Sequence, residues 1–379
     1  MTFNFIDLFC GIGGFRLGFE RSGFSCVFSS DFDKHIQDTY EENFNERPFG
    51  DITKVDPKTL PDFDVLTGGF PCQPFSISGK KRGFADTRGT LFFDVCRILN
   101  EKKPRVVVLE NVKHFIHHDK KKTMSTVLNS LQELGYNISY KILNTKDFGL
   151  PQNRERIFII GSLKGSFDFN KMKKTKSKSL EHFLDKSGDF EFVEKKDYTM
   201  IDKDLVVHQP SGLKFVGYRN KKGFQSGIRP NTEHLNRVHR QPNRIYSVEG
   251  YHPTIPSQET SGRFFIYLPK EDKVRKLTIN ECFRIMGFDD NYKKVSSSGQ
   301  LYRQIGNSVG VNITEELSKQ IILQGLLDET QRETIRNKQK VINGQTQITF
   351  WCRKRIKKIP KYNRKSKRFI HSPHHPRNS

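Results

Sequence analysis

The amino-acid sequence predicts a doubly wound α/β domain followed by a second, small and irregular domain. Between residues 4 and 160, short apolar runs alternate with segments of helical period, which is typical of strands and helices alternating along an open sheet. A tight glycine-rich turn joins the first apolar run to the first helical segment. From residue 185 onward this alternation gives way to glycine, proline, arginine, asparagine and aromatic residues. The 379 residues leave room for about two or three units of domain size.

The elements of the first domain follow in chain order. Strands are predicted at 5–9, 25–29, 64–68, 105–109, 138–143 and 156–160, and helices at 15–21, 34–43, 91–101 and 123–134. Gly135 ends the last of these helices, because glycine tolerates the left-handed backbone that often follows a helix. We expect the strands to form a parallel sheet. Helical period returns at 278–286 and 309–327, and the second of these helices is long enough to pack back on the first domain.

The charge of the chain points to a polyanionic partner. The 65 Lys and Arg residues outnumber the 42 Asp and Glu residues, which gives a net charge of +23. Nucleic acid explains such an excess better than a membrane surface or a small acidic substrate does. Residues 351–379 contain eleven Lys or Arg and no acidic residue. This basic tail is expected either to bind phosphate through counterion release or only to keep the chain soluble.

Several classes of protein are not expected. No stretch approaches the ~18 consecutive apolar residues of a transmembrane helix. The first residues lack the basic flank and apolar core of a signal peptide, so a cytoplasmic location is expected. The six cysteines include no Cys-x-x-Cys pair, so neither a zinc ribbon nor a disulfide framework is predicted, and no metal site is expected.

The glycine-rich turn is the first candidate binding site. The turn Cys10-Gly11-Ile12-Gly13-Gly14 lies between a predicted strand and a predicted helix, where the backbone comes close to a ligand. Asp31 follows Gly11 by 20 residues, which is where a ribose-binding carboxylate is expected. These features indicate an adenosine-containing cofactor. The Gly-x-Gly-Gly spacing favours S-adenosylmethionine over a dinucleotide, with Asp7 placed to bond it and Phe32 to stack on adenine. The alternative is a purely structural turn.

Cys72 is the second candidate, because it stands between two prolines. Pro71-Cys72-Gln73-Pro74 follows a predicted strand, so the thiol would lie on a loop at the carboxyl end of the sheet, where open α/β folds bind ligands. The prolines fix the local backbone and remove amide donors, which suits a nucleophile aimed in one direction. The alternative, a small buried hydrophobic residue, is expected for the other cysteines. These are Cys10, Cys26, Cys96, Cys282 and Cys352.

Together these motifs resemble those of the DNA cytosine-5 methyltransferases of bacterial restriction-modification systems. The resemblance rests on Phe5 to Gly14, Pro71 to Ser76, Glu110-Asn111-Val112, Gln152 to Arg156, Arg275 to Asp289 and Gln304 to Val309, which occur in the family's order. It implies a Rossmann-like S-adenosylmethionine-dependent methyltransferase sheet with a small, irregular target-recognition domain. The implied domains are a catalytic, cofactor-binding domain at 1–184, the target-recognition domain at 185–278, a hinge at 279–304, a returning helix at 305–332 and a disordered basic tail at 333–379.

The resemblance also implies the chemistry of the site. Carbon 5 of cytosine is a poor nucleophile until a thiolate adds to carbon 6, and Cys72 is the implied nucleophile. Glu110 would protonate or bond ring nitrogen 3, while Arg156 would hold the carbonyl oxygen of the base and orient the acid. Arg154 would be a supporting contact. The alternatives are a helix cap for Glu110 and surface charges for the two arginines.

The resemblance carries over cofactor and DNA contacts as well. The implied cofactor residues are Phe5, Asp7, Gly11, Gly13, Asp31, Phe32, Asp51, Ile52, Pro71, Asn307 and Val309. The target cytosine must leave the duplex, and Ser78 and Gln241 would fill the gap while Arg244 contacts a guanine edge; contacts to the DNA backbone alone are the alternative. The family often has Glu and Trp where this chain has Asp31 and Phe32, so we expect weaker cofactor binding here.

The expected partners are double-stranded DNA and, functionally, a restriction endonuclease, with a monomer sufficient for the chemistry. A tRNA cytosine-5 methyltransferase and an inactive DNA-binding regulator are alternatives. The segment at 185–278 argues against the first, because it is long enough to read a DNA groove. The set of Cys72, Glu110 and Arg156 argues against the second. A nicotinamide-dependent oxidoreductase would explain the glycine turn but neither Pro71-Cys72-Gln73 nor the charge.

Overall fold

A six-stranded sheet forms the centre of the first domain. In the computed structural model, residues 2–71, 91–206, 209–220, 232–257 and 265–328 are described, and they belong to a single compact unit. The strands are β1 (Asn4–Leu8), β2 (Ser25–Ser30), β3 (Val65–Gly68), β4 (Val106–Val112), β5 (Asn137–Asn144) and β7 (Glu155–Ser162). Their order is β2-β1-β3-β4-β7-β5. All six predicted strands are therefore confirmed, with β4 and β5 longer than expected.

The sheet is mixed, which corrects the expectation of a parallel sheet. Strands β1, β2, β3 and β4 pair in parallel, whereas β7 is antiparallel to both β4 and β5. The link from β5 to β7 contains only a short 3-10 turn at Thr145–Asp147 and the two-residue strand β6 (Gln152–Asn153). A parallel return needs a crossover of about a dozen residues or more, usually a helix. The short link therefore forces an antiparallel pairing.

Helices cover both faces of the sheet. They are α1 (Gly14–Arg21), α2 (Lys34–Phe44), α3 (Leu91–Lys102), α4 (Lys122–Glu133), α5 (Ile279–Arg284), α6 (Ser298–Asn307) and α7 (Val311–Leu323). On one face, α3 and α4 bury Ile98 and Leu131 against β-strand residues such as Leu66 and Val107. On the other face, α1 and α7 supply buried apolar residues such as Phe19 and Leu317, which belong to one cluster with Val108. The result is a three-layer arrangement with the sheet in the middle.

The ends of several helices follow local rules. Asp33 caps α2 by accepting a hydrogen bond from the His35 amide at 3.0 Å. Thr278 and Glu281 form a reciprocal capping box at the start of α5, in which two otherwise unpaired amides are satisfied. The predicted returning helix at 305–332 is shorter than expected. Residues 305–307 end α6, and α7 runs only from Val311 to Leu323, with Gly310 at its N-cap and Gln324 at its C-cap.

The segment predicted to be irregular contains a second sheet of short strands. The strands β8 (Tyr198–Met200), β9 (Phe215–Arg219), β10 (Arg244–Ser247), β12 (Phe265–Leu268) and β13 (Lys273–Lys276) pair in the order β13-β12-β10-β9-β8. A separate pair joins β11 (His252–Pro253) to β6. These strands have only two to five residues, too few for clear alternation of apolar and polar residues. Among the described residues, no helix is long and apolar enough to cross a membrane.

Candidate active site

The glycine-rich turn is built on left-handed backbone at the carboxyl end of β1. Phe9, Gly11 and Gly13 have φ values of 54°, 53° and 79°. A Cβ atom added at Gly11 would meet nothing within 4 Å, whereas one added at Gly13 would lie 2.4 Å from the Phe44 ring. Gly13 is therefore required by packing inside the protein. Gly11 leaves open space beside an accessible backbone, which is what a bound ligand needs.

Asp31 is joined to this turn, as its sequence spacing predicts. Its Oδ2 accepts a hydrogen bond from the Gly11 amide at 3.1 Å, and its Oδ1 accepts one from the Asp33 amide at 3.0 Å. Burial raises the pKa of Asp31 to about 6, although the two amides oppose this shift. The carboxylate therefore lies at the end of β2, directly beside the open space at Gly11.

Asp7 lies beneath the turn and has no exposed surface. Its Oδ1 accepts a hydrogen bond from the Thr67 hydroxyl at 2.9 Å, while its Oδ2 has no hydrogen-bond partner among the described residues. Burial raises the pKa of Asp7 to about 8. A carboxyl group with one oxygen unpaired in a dry environment favours the protonated form.

The three predicted adenine residues differ in their surroundings. The side chain of Phe32 is 74% exposed, so an aromatic face is available beside Asp31. Asp51 caps a short 3-10 turn, since its Oδ1 accepts hydrogen bonds from the amide and hydroxyl of Thr53 at 3.0 and 2.8 Å. Ile52 is buried next to it.

Phe5 lies outside the turn, and its predicted contact with the cofactor stays a prediction. It lies within β1 with no exposed surface, and its ring packs 5.1 Å from that of Phe19. Phe9, which we did not predict, occupies the turn with a positive φ that is uncommon for an aromatic residue. The predicted strand at 5–9 included Phe9, whereas the observed strand ends at Leu8 and leaves Phe9 in the turn.

Glu110 and Arg156 form an ion pair at the carboxyl end of β4. Arg156 Nε lies 3.0 Å from Glu110 Oε1, and the two side chains are only 15% and 13% exposed. Burial raises the pKa of Glu110, with Arg156 and then Arg154 opposing the shift. The second oxygen, Oε2, lies 3.4 Å from the position that a Cβ at Gly69 would occupy. Glu110 therefore faces the chain that leads to Pro71.

Asn111 on β4 forms a hydrogen bond with the segment that leads to Pro71. Its Nδ2 donates to the Phe70 carbonyl at 3.0 Å, and its Oδ1 accepts from the Val112 amide at 2.8 Å. The half-buried Pro71 is the last described residue before position 72. Cys72 and Ser78, the predicted nucleophile and gap-filling residue, lie outside the described residues. Cys10, Cys96 and Cys282 are buried, as expected for small apolar residues, and Cys26 is partly buried; Cys352 also lies outside the described residues.

Arg154 contacts the protein backbone. Its Nη1 donates to the Ile255 carbonyl at 3.1 Å, and its Nη2 donates to the carbonyls of Gly306 and Ser308 at 2.8 and 2.6 Å. Three strong donors of the side chain are thereby directed at main-chain oxygens. Its predicted grouping with the residues that act on the base therefore stays a prediction, and its observed contacts are those of a support.

Val309, one of the two cofactor residues predicted after α6 begins, contacts the glycine turn. A Cβ added at Gly14 would lie 2.8 Å from Val309 Cγ1, so Val309 packs directly on the turn. Asn307 is exposed two residues earlier. Segments almost 300 residues apart in sequence are thus adjacent, as shown also by the 2.9 Å bond from Thr314 Oγ1 to the Gly14 carbonyl.

Gln241 and Arg244, two of the three predicted DNA-binding residues, lie just before and at the start of β10. Gln241 is exposed at the start of a 3-10 turn, Gln241–Asn243, that leads into β10. Arg244 begins β10, and its Nε donates to the His239 carbonyl at 2.9 Å. No group of three or more His, Cys, Asp or Glu within the described ranges is arranged to hold a metal ion.

Comparisons with known proteins agree with this arrangement. The family model described as "C-5 cytosine-specific DNA methylase" matches residues 3–323. The Type II methyltransferase M.HhaI of Haemophilus parahaemolyticus is 41% identical over 328 residues, which cover 84% of this chain and 94% of the relative. The Type II methyltransferase M.HpaII of Haemophilus parainfluenzae is 39% identical over 334 residues, which cover 84% of this chain and 89% of that relative.

A solved structure shows the same fold. The crystal structure of the S. pombe Dnmt2 methyltransferase superposes with a TM-score of 0.62 at 19% identity, covering 85% of this chain and 99% of that chain. The fold is therefore the mixed α/β fold of methyltransferases. The family description specifies DNA and an enzymatic activity, so neither a tRNA enzyme nor an inactive regulator is favoured. Because the family model spans most of the sequence, the chain belongs to the C-5 cytosine-specific DNA methylases.

Proposed function

We propose that this DNA cytosine-5 methyltransferase takes its methyl group from S-adenosylmethionine and modifies a cytosine that is swung out of a short duplex sequence. The observation that carries the proposal is the Glu110–Arg156 ion pair, which faces the Gly69-Phe70-Pro71 segment leading to Cys72. An acid, a cation and a thiol are the groups that methylation of carbon 5 requires.

The residues of the glycine turn fit an adenosine-containing cofactor. Gly11 offers open space beside its backbone, the Phe32 ring is exposed, and the buried Asp7 has an unpaired oxygen. We assign cofactor binding to the turn and its neighbours: Asp7, Gly11, Gly13, Asp31, Phe32, Asp51, Ile52, Pro71, Asn307 and Val309. When bound, S-adenosylmethionine supplies an electrophilic methyl group.

The chain's own residues would activate the base. The Cys72 thiolate forms a bond to carbon 6 of cytosine, and electron density moves toward nitrogen 3 and the carbonyl oxygen. Glu110 gives its proton to nitrogen 3, a role that suits an acid whose pKa is raised by burial. Arg156 stabilises the charge on the carbonyl oxygen. Once carbon 5 carries the methyl group, its proton passes to water, the C–H electrons re-form the C5–C6 double bond, and the C6–S bond breaks to release the Cys72 thiolate. Nitrogen 3 then returns its proton to Glu110.

The second domain would select the sequence. Extruding the cytosine costs a few kcal/mol, which contacts in the gap must offset. Ser78 and Gln241 are assigned to that gap, and Gln241 is exposed at a turn that is free of regular strand pairing. Arg244, held through its Nε by the His239 carbonyl, is assigned to a guanine edge.

The cellular role follows from the relatives. Both relatives described above are named Type II methyltransferases. We therefore propose that methylation protects cytoplasmic DNA from a cognate restriction endonuclease, and that a monomer carries out the reaction.

The proposal is tested by methyl transfer from tritiated S-adenosylmethionine to unmethylated duplex DNA, with bisulfite sequencing of the product. The wild-type chain should modify one short motif. Glu110→Gln should lower kcat by roughly 10² to 10⁴, the usual contribution of a positioned general acid, and Cys72→Ser should abolish transfer.

The matched control is Glu155→Gln. Glu155 also lies on the sheet, but its side chain is 38% exposed and forms a surface ion pair with Lys113 at 2.8 Å, so its substitution should leave kcat near the wild-type value. Transfer by Glu110→Gln at the wild-type rate, or modification of tRNA in place of DNA, would contradict the proposal.

A further inference from the structure

Three chain segments that are distant in sequence meet at one buried arginine. They are residues 152–154 on and after β6, residues 255–257 after β11, and residues 306–308 at the end of α6. We call this meeting point the Arg154 junction. Arg154 lies two residues before Arg156 in the sequence, and Arg156 on β7 forms the ion pair with Glu110.

Arg154 holds the junction through its guanidinium group. The residue is 1% exposed, and its terminal nitrogens donate to the carbonyls of Ile255, Gly306 and Ser308 at 2.6 to 3.1 Å. Its Nε has no hydrogen-bond acceptor among the described residues. The carbonyls of Gly306 and Ser308 flank Asn307, so Arg154 binds the backbone on both sides of that residue.

Gln152 binds the backbone amide of Ile255, the residue whose carbonyl Arg154 binds. Its Oε1 accepts a hydrogen bond from the Ile255 amide at 3.2 Å, while Arg154 binds the Ile255 carbonyl. Both polar groups of one backbone residue are thereby satisfied by side chains two positions apart. Such complete pairing of buried backbone groups defines a single position for the segment.

Gly306 brings the other two segments into direct contact. A Cβ atom at this position would lie 2.2 Å from the Pro256 carbonyl oxygen and 2.7 Å from Ser257 Cα. The backbones therefore touch with no room for a side chain. A displacement of residues 255–257 must move residues 306–308, and the reverse is equally true.

The functions proposed for the two segments differ. Asn307 and Val309 are assigned to the cofactor, whereas the 255–257 segment follows β11 and belongs to the predicted target-recognition segment at 185–278, which also contains β10 of the five-stranded sheet. We infer that Arg154 is a positioning residue that couples the cofactor site to the second domain, while Arg156, two residues later, acts on the target base. This inference rests on the proposed function for the cofactor assignment alone.

The test compares Arg154→Met with Arg156→Met and the conservative Arg154→Lys. Equilibrium dialysis of tritiated S-adenosylmethionine in the absence of DNA gives the cofactor Kd, and methyl transfer at saturating cofactor gives kcat. We expect Arg154→Met to raise the cofactor Kd at least tenfold and Arg154→Lys to raise it less. Arg156→Met should leave the Kd within about threefold of wild type but lower kcat strongly.

Hydrogen exchange supplies a readout that needs no cofactor. In Arg154→Lys, the amides of residues 255 and 308 should exchange faster together, by at least tenfold, whereas those of the β1 strand should not change. If the wild-type chain fails to bind S-adenosylmethionine but these amides respond together, the proposed function fails and the coupling stands.

Two results would overturn the inference. One is a wild-type cofactor Kd in either folded Arg154 variant, with folding judged from near-ultraviolet circular dichroism. The other is faster exchange in only one of the two segments. Arg154→Lys keeps the positive charge. If Arg154→Met does not fold, the cofactor Kd and the hydrogen exchange of Arg154→Lys still test the inference.

Discussion

At the scale of single residues, burial gives three carboxyl groups of the site different chemistry. Burial raises the pKa of Glu110, Asp31 and Asp7, but their partners differ. Glu110 has an arginine beside it, and Asp31 accepts two backbone amides. Among the described residues, Asp7 accepts a hydrogen bond from the Thr67 hydroxyl alone, so its ionised form is poorly compensated.

The raised pKa of Asp7 therefore predicts that the fold loses stability as the pH rises. Its pKa is about 8 in the folded chain against 3.8 without burial, so between these values the folded state keeps a proton that the unfolded state releases. The free energy of unfolding should then fall by up to about 1.4 kcal/mol per pH unit through this window. The contribution of Asp7 to the free energy of unfolding is complete below pH 3.8 and is lost as the pH rises through 8.

The variant Asp7→Asn removes this titration and keeps an acceptor for Thr67. Urea unfolding of both proteins at several values between pH 6 and pH 9 should show a steeper decline for the wild type. A difference in unfolding free energy that stays constant across this range would show that Asp7 is ionised throughout. The comparison uses one substitution, so titrations elsewhere in the chain cancel.

At the scale of elements, α1 and α7 pack with their backbones almost in contact. A Cβ at Gly18 would lie 2.1 Å from Thr314 Oγ1 and 2.6 Å from the Glu315 amide nitrogen. These helices hold the glycine turn against Val309, because α1 starts at the turn and α7 starts two residues after Val309. Close helix packing is thus part of how the cofactor turn is positioned.

Gly18→Ala should destabilise the fold even though alanine is the better helix former. The clash with backbone atoms should lower the free energy of unfolding by roughly 1–3 kcal/mol. The gain of about 1 kcal/mol in helix propensity offsets only part of this loss. Thermal or urea unfolding measures the difference. Gly165→Ala is the matched control, since a Cβ there meets nothing within 4 Å. Equal stability of the two variants would contradict backbone contact between α1 and α7.

At the scale of the whole molecule, the net charge of +23 governs association with DNA. Each neutralised phosphate should add about 0.9 to the slope of log affinity against log salt. We predict that a chain ending at residue 350, which lacks eleven Lys or Arg, binds duplex DNA with a shallower slope than the full chain. Fluorescence anisotropy between low and physiological salt measures both slopes. Identical slopes would favour a tail that only keeps the chain soluble.

The sequence by itself determined the family, the order of the elements and most of the candidate site. Strand and helix periods depend on neighbours a few residues away, and so do capping signals such as Thr278 and Glu281. Short motifs such as Gln152 to Arg156 are equally local. These features could be predicted because their physical causes lie within one turn or one strand.

Only the tertiary structure decided the direction of β7, the five-stranded sheet of residues 198–276, the raised pKa of Asp7 and the backbone partners of Arg154. Sequence spacing grouped Arg154 with Arg156, but Arg154 binds carbonyls at positions 255, 306 and 308. Likewise, Phe9 lies in the turn with a positive φ, whereas the predicted Phe5 lies within β1. Burial and hydrogen-bond partners come from residues 100 or more positions away, and no local pattern encodes which distant carbonyl a buried cation will meet.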